Sequence, residues 1–106
     1  MEVFKMRVLV SCANGSGTSL MMMRTAQKAL EGLGFDITNI HHCSISEGKN
    51  TARNYDVVYT PTTFTDMFKD AAARGVEVIG IKNPMSAKEI AEATEKSSLP
   101  ERFLNK

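Results

Sequence analysis

Arg7-Val8-Leu9-Val10-Ser11, followed by Cys12-Ala13-Asn14-Gly15-Ser16-Gly17-Thr18, decides how this chain is read. The first five residues form a short β-branched, apolar run, the pattern of a buried strand. The next seven form a loop with two glycines. From Ser19 to about Glu31 the period changes to that of a helix. Met22, Met23, Ala26, Ala29, Leu30 and Leu33 fall on one face at about 100° per residue. Arg24, Lys28 and Glu31 fall on the other. Gly32 and Gly34 read as stop signals. A strand, a tight loop and an amphipathic helix are the first half of a βαβ unit.

The remaining chain repeats the alternation. Phe35 to about His42 is a second strand, with Phe35, Ile37 and Ile40 inward. Ser44 to Asn54 is polar and loop-like, with room for one helical turn. Asp56 to Thr60 is a third strand, ended by Pro61. Phe64 to Arg74 is helical, with Phe64, Met67, Phe68 and Ala71 on one side and Gly75 as the C-cap. Val76 to Ile81 is a fourth strand. Ser86 opens a last helix, with Glu89 three residues later as a capping box and an apolar side of Ile90, Ala91 and Ala93 or Thr94. Strands alternating with helices imply an α/β fold with a parallel sheet. Ligands of such sheets bind at the carboxyl ends of the strands, the edge where the Cys12 loop lies.

That loop has the chemistry of an anion cradle. Backbone N–H groups in the loop and in the first turn of the helix are unpaired. Together with the helix dipole they attract an anion. Gly15 and Gly17 let the chain curl so that successive N–H groups converge. Asn14 tolerates left-handed angles, and Thr18 and Ser19 add hydroxyls. Cys12 stands at the mouth, where the positive field is expected to lower the thiol's pKa. A thiolate beside a phosphate cradle can form a phosphocysteine. Other phosphate motifs fit poorly. Gly15-Ser16-Gly17 lacks the third glycine of a dinucleotide fingerprint, and no Lys precedes Thr18 as in a Walker A loop.

Cys-x5-Thr-Ser after a first strand resembles two families of one architecture. The low-molecular-weight tyrosine phosphatases have a loop reading Cys-x5-Arg-Ser. The IIB components of bacterial sugar phosphotransferase systems, of the lactose, galactitol and ascorbate types, are the other. Thr18 occupies the phosphatase arginine's position, and Arg24 is too far along the helix to replace it. The phosphatase acid is an Asp in an Asp-Pro pair, and here Asn83-Pro84 stands late in the chain. Both departures suit a carrier rather than a hydrolase. The form Cys-x-Asn-Gly-x-Gly-Thr-Ser, with Val-Ile-Gly-Ile-Lys-Asn at Val78 to Asn83, is most similar to the ascorbate branch. The resemblance runs from about Arg7 to Lys96.

It implies a Rossmann-like fold with four parallel strands and helices on both faces. It implies that Cys12 accepts a phosphoryl group from a phosphohistidine on a IIA protein. Ala13, Asn14, Gly15, Ser16, Gly17, Thr18 and Ser19 form the phosphate loop. A sugar held by a membrane IIC protein is the final acceptor: L-ascorbate, galactitol or a lactose-type sugar. No cofactor or metal is required. The rivals are a phosphatase or arsenate-reductase-like enzyme and an anion-binding regulatory domain in which Cys12 is never modified.

Blander readings weigh on the other candidates. Cys43 is expected to be buried near the end of the second strand, with a resolving thiol for Cys12 as the minor alternative. His41 and His42 are adjacent on a strand and point to opposite faces, so joint chelation of a metal is not expected. Leu20 and Met21 fall on the side shared with Arg24 and Lys28, one turn from Cys12. They are either half-buried under the neighbouring loop or part of a docking surface. The hydroxyls of Thr60-Pro61-Thr62-Thr63 either help a phosphate or cap the next helix.

Size and composition set the outer limits. The 106 residues and 42% hydrophobic content are those of one globular domain. We expect a single domain over residues 1–106, with its core at about 7–96 and a tail at 97–106. A net charge of +1 gives no basis for nucleic-acid binding. No apolar run approaches the ~20 residues of a membrane span, and Met1 to Val10 lacks the pattern of a signal peptide. Free thiols and a cytoplasmic protein are therefore expected, in transient contact with the inner membrane face through IIC.

Overall fold

The computed structural model describes residues 5–12, 17–83 and 86–97. The expectations for Ala13, Asn14, Gly15, Ser16 and Pro84, and for the tail beyond Ser97, lie outside those residues. The elements follow as strand β1 (Lys5–Cys12), helix α1 (Gly17–Leu33), β2 (Asp36–Ser44), α2 (Ile45–Thr51), a 3₁₀ turn (Ala52–Asn54), β3 (Val57–Pro61), a 3₁₀ segment (Thr62–Phe68), α3 (Lys69–Ala73), β4 (Glu77–Ile81) and α4 (Ala87–Lys96). The strands form one four-stranded sheet in the order β2-β1-β3-β4. Every pairing is parallel. The expected α/β architecture is therefore present.

β1 lies inside the sheet and alternates between two cores. Met6, Val8, Val10 and Cys12 face one cluster, with Met22, Ala26, Leu30, Tyr59 and Ile90. Leu9 faces the other, with Cys43, Ile45, Val58, Phe68 and Ala71. The unbroken apolar run Val8-Leu9-Val10, buried on both sides, is what a strand covered on two faces requires. α1 and α4 cover the first face, and α2 and α3 with their 3₁₀ neighbours cover the second. Tyr59 crosses the first core to reach a polar partner. Its hydroxyl lies 2.6 Å from Thr94 Oγ1, which donates to the Ile90 carbonyl at 2.8 Å. Burial pushes the Tyr59 phenol well up.

α1 runs further than expected at both ends. Gly32 sits inside it, and the stop is Gly34 alone, at φ 96°. Phe35 N–H donates to the Leu30 carbonyl and Gly34 N–H to the Glu31 carbonyl, each at 3.1 Å, which is a Schellman cap. Gly75, at φ 98°, closes α3 in the same way, with Val76 N–H on Ala71 and Gly75 N–H on Ala72. Only a glycine takes such angles without strain.

Three expectations are corrected. The segment after Ser44 is a two-turn helix rather than a loop. Ser44 caps it by accepting from Glu47 N–H at 3.4 Å. Met67, expected inward, is 44% exposed. Thr62–Phe68 winds as a 3₁₀ helix, and three residues per turn rotate Met67 away from Phe68 and Ala71. The capping box at α4 is half formed. Ser86 Oγ accepts from Glu89 N–H at 3.1 Å, but the Glu89 carboxylate takes the N–H groups of Lys82 and Asn83, at 2.6 and 2.8 Å.

Candidate active site

Cys12 is the last residue of β1, at the carboxyl edge of the sheet. Helix α1 opens five residues beyond it, with Gly17, Thr18 and Ser19 in its first turn. Cys12 is thus strand rather than loop, and the residue is 3% exposed. Its Sγ lies 3.5 Å from the Sδ of Met22, one of the α1 residues that fill the first core. The two sulfurs hold the end of β1 against the helix.

This environment reverses one expectation. Burial pushes the Cys12 thiol up, and the neighbouring Cys43 pushes it further. Desolvation disfavours the thiolate. The resting group is a protonated thiol. Alkylation of Cys12 by iodoacetamide is expected to be slow at neutral pH and to climb as pH passes the ordinary thiol value of about 8.5. The same shift makes the folded state lose stability as pH rises above that value, through the higher folded pKa, because the unfolded chain releases the proton more readily. A pH titration of both quantities checks the sign; a rate already flat at pH 7 contradicts it.

β2 brings a second layer to the same edge. Cys12 pairs in register with Ser44, and Ser11 with Cys43. Ser11 Oγ donates to the Ser44 carbonyl at 2.8 Å. Ser44 thereby anchors β1 while starting α2. Gly48 of α2 then packs directly on Ser11. A Cβ placed there would meet the Ser11 side chain, with Ser11 Cβ at 2.9 Å and Cys43 Sγ at 3.4 Å. None of Ser11, Ser44 and Gly48 was singled out from the sequence. The only available signal was a glycine in a short polar stretch.

Cys43 is buried as expected, at 6% exposure. It belongs to the core on the opposite side of the sheet from Cys12. Both cysteines are free thiols, and this placement disfavours Cys43 as a resolving partner. Burial pushes its thiol up, the Ser11 hydroxyl draws it down, and Glu47 raises it again. Thr60, at the end of β3, is wholly buried, and its hydroxyl has no hydrogen-bond partner among the described residues. Among the described residues no side chain caps the 3₁₀ segment that follows, so capping does not account for Thr60. Thr62 and Thr63 are exposed.

His41 is exposed and His42 partly buried, with ring centroids 6.1 Å apart. Among the described residues no three of His, Cys, Asp and Glu converge as a metal site. No described helix is long and apolar enough to cross a membrane. Leu20 is half-buried, and Met21 is 47% exposed one turn along from the loop.

Comparison with known proteins adds the decisive observation. Residues 7–96 match the family described as PTS system, Lactose/Cellobiose specific IIB subunit. The chain belongs to this family. It is 25% identical over 96 residues to the ascorbate-specific PTS system EIIB component of Mycoplasma pneumoniae, covering 91% of this chain and 98% of that one. The lactose-specific IIB domain structure from Streptococcus pneumoniae superposes with a TM-score of 0.64 at 19% identity, over 93% of this chain and 98% of that chain. The IIB fold is thus shared, and this IIB component is a phosphotransferase of a sugar phosphotransferase system.

Proposed function

We propose that this IIB component carries a phosphoryl group on Cys12. The supporting observation is the position of Cys12 at the carboxyl end of an inner strand, directly before a glycine loop and the start of α1. The donor is a phosphohistidine of a IIA protein. Its N–P bond breaks as the S–P bond forms, and the thiol proton passes to the imidazole nitrogen that is released. The thiol must first swing away from Met22 Sδ. Backbone amides from Ala13 to Ser19 hold the equatorial oxygens, in the manner of helix-terminus phosphate sites. The group then passes to a sugar on a membrane IIC protein. L-ascorbate is the first sugar to test, given the name of the Mycoplasma relative, with galactitol and a lactose-type sugar beside it. Residues 1–106 act as one IIB domain on the cytoplasmic side.

Intact-mass measurement after incubation with IIA and its phosphoryl source tests the assignment. One added phosphoryl group is expected. An unchanged mass favours an unmodified anion-binding domain. A phosphatase reading has less support. Thr18 cannot supply a guanidinium, and Asn83 has no acidic proton to give. Negligible turnover of aryl phosphates is therefore expected. Cys12-dependent release of phosphate over many cycles would establish a hydrolase instead.

Leu20 and Met21 serve as part of the surface that IIA and IIC cover in turn. A flexible thioether suits a surface with two partners. Met21→Glu is expected to slow transfer from IIA several-fold while changing stability by less than about 0.5 kcal/mol, as at other exposed sites. Melting curves and transfer rates decide: a large fall in Tm with full activity of the folded fraction would make Met21 core.

A further inference from the structure

A second site of opposite character lies away from Cys12. Between α2 with its 3₁₀ turn and α3 is a cleft of about 220 Å³, lined by Lys49, Asn50, Arg53, Asp70, Ala71 and Arg74. Arg53 lies just before β3 and Arg74 just before β4, so the cleft opens near the amino ends of the strands. Cys12 is at the carboxyl end. A five-residue strand separates the two edges by roughly 17 Å.

The charge in the cleft is unbalanced. Three cations face one carboxylate. Asp70 and Arg74 stand four apart on one helical stretch, the spacing that usually closes an ion pair, yet no ion pair forms between them. Among the described residues, none of Lys49, Arg53 and Arg74 has a carboxylate within 4 Å. Holding three like charges around one cavity is unfavourable, and an anion relieves it. A concave, predominantly basic lining also concentrates such anions. Guanidinium groups match phosphate by paired N–H donors.

The other polar groups narrow the class. Asn50 donates its amide N–H to the Ser46 carbonyl at 3.1 Å, so its amide oxygen is the group left to accept. Asp70 is a second acceptor. Both suit hydroxyl donors, and neither suits a second phosphate. Ala71 supplies a small apolar floor. The volume is below the roughly 300–1,000 Å³ of drug-sized ligand pockets, which limits the occupant to a small molecule.

We propose that this cleft binds a small phosphorylated polyol, its phosphate on Arg53, Arg74 and Lys49 and its hydroxyls on Asp70 and Asn50. Compounds of that class are what a sugar phosphotransferase system produces; this link to product sensing rests on the relay reading, whereas the binding itself does not.

The test is titration of the ¹⁵N-labelled protein with glucose 6-phosphate, glycerol 3-phosphate and inorganic phosphate. Saturable shifts are expected at the amides of residues 49–53 and 70–74, tightest for glucose 6-phosphate. Arg53→Gln/Arg74→Gln should weaken binding at least tenfold. Asp70→Asn should weaken the sugar phosphate more than inorganic phosphate. All three positions are exposed, and unchanged Tm values verify that the variants fold. Shifts confined to the Cys12 edge, absence of saturation at tens of millimolar, or equal affinity in the double variant would each overturn the proposal. Phosphorylation of Cys12 is not needed for this experiment. A failure here leaves the relay intact, and an unphosphorylated Cys12 leaves the cleft intact.

Discussion

Cys12→Ser is expected to abolish phosphorylation by IIA, with loss of more than about a thousandfold, in line with removal of nucleophiles elsewhere. A serine hydroxyl is a far weaker nucleophile at neutral pH than a thiol. The fold should survive, because the change removes no carbon atom from the first core. The main cost is a polar oxygen beside Met22 Sδ, with a fall in stability of about 1–2 kcal/mol. Cys43→Ser, on the other core, should retain nearly full transfer. Intact mass and a denaturant melt on both variants decide. A serine protein that accepts phosphate at the normal rate would remove Cys12 from the chemistry. Loss of transfer in a well-folded Cys43→Ser protein would bring the second thiol back.

The largest expected effect on stability is at Gly48. A valine there drives a branched side chain into Ser11 and Cys43, with Ser11 Cβ already 2.9 Å from the first added carbon. Either Ser11 releases the Ser44 carbonyl or α2 lifts from the sheet. Overpacking of this kind costs about 1–3 kcal/mol, and a stranded Ser11 hydroxyl adds about 1 kcal/mol or more. A loss of about 3 kcal/mol is expected. Gly32→Val is the matched control. A Cβ on Gly32 meets nothing within 4 Å, so its effect should stay below about 1 kcal/mol, within the helix propensity scale. Equal melting of the two variants would show that contact with Ser11 is not what Gly48 serves.

What could be read from the sequence depended on how strongly a segment declares its period. β1 and β3 are continuous apolar runs, and the apolar face of α1 recurs at the helical spacing, so tertiary packing agrees with local pattern. Gly34, Gly75 and Ser86 mark their helix ends for stereochemical reasons that need no tertiary context. α2 could not be read in this way. Ser46, Gly48, Asn50 and Thr51 are weak helix formers, and only Ile45 and Gly48 of its residues are buried. Its helix is imposed by the Ser44 cap and by contact with Ser11, a residue distant in the chain. Met67 was misplaced because a 3₁₀ winding shifts every later residue off the α period. The sign of the thiol shift was misread for a similar reason. Sequence shows that Cys12 precedes a helix start, but not that Met22 folds back over its sulfur. The loop chemistry proposed for Cys12 rests on the cysteine, the two glycines and the missing arginine, all legible in one short stretch.

The place of β1 in the strand order also has a consequence for synthesis. Of the four strands it leaves the ribosome first, yet it needs a neighbour on each side. β2 can close one side once α1 has formed. The other stays open until Val57–Pro61 has been made, a delay of about seconds at ordinary translation rates. During that interval Val8-Leu9-Val10, which ends fully buried, is an unpaired apolar edge of the kind that recruits other chains. Parallel pairing through long crossovers is slow to form and lengthens the exposure. Lys5 and Arg7 lie immediately before this segment. Their charges sit where gatekeeper residues protect unavoidable hydrophobic strands.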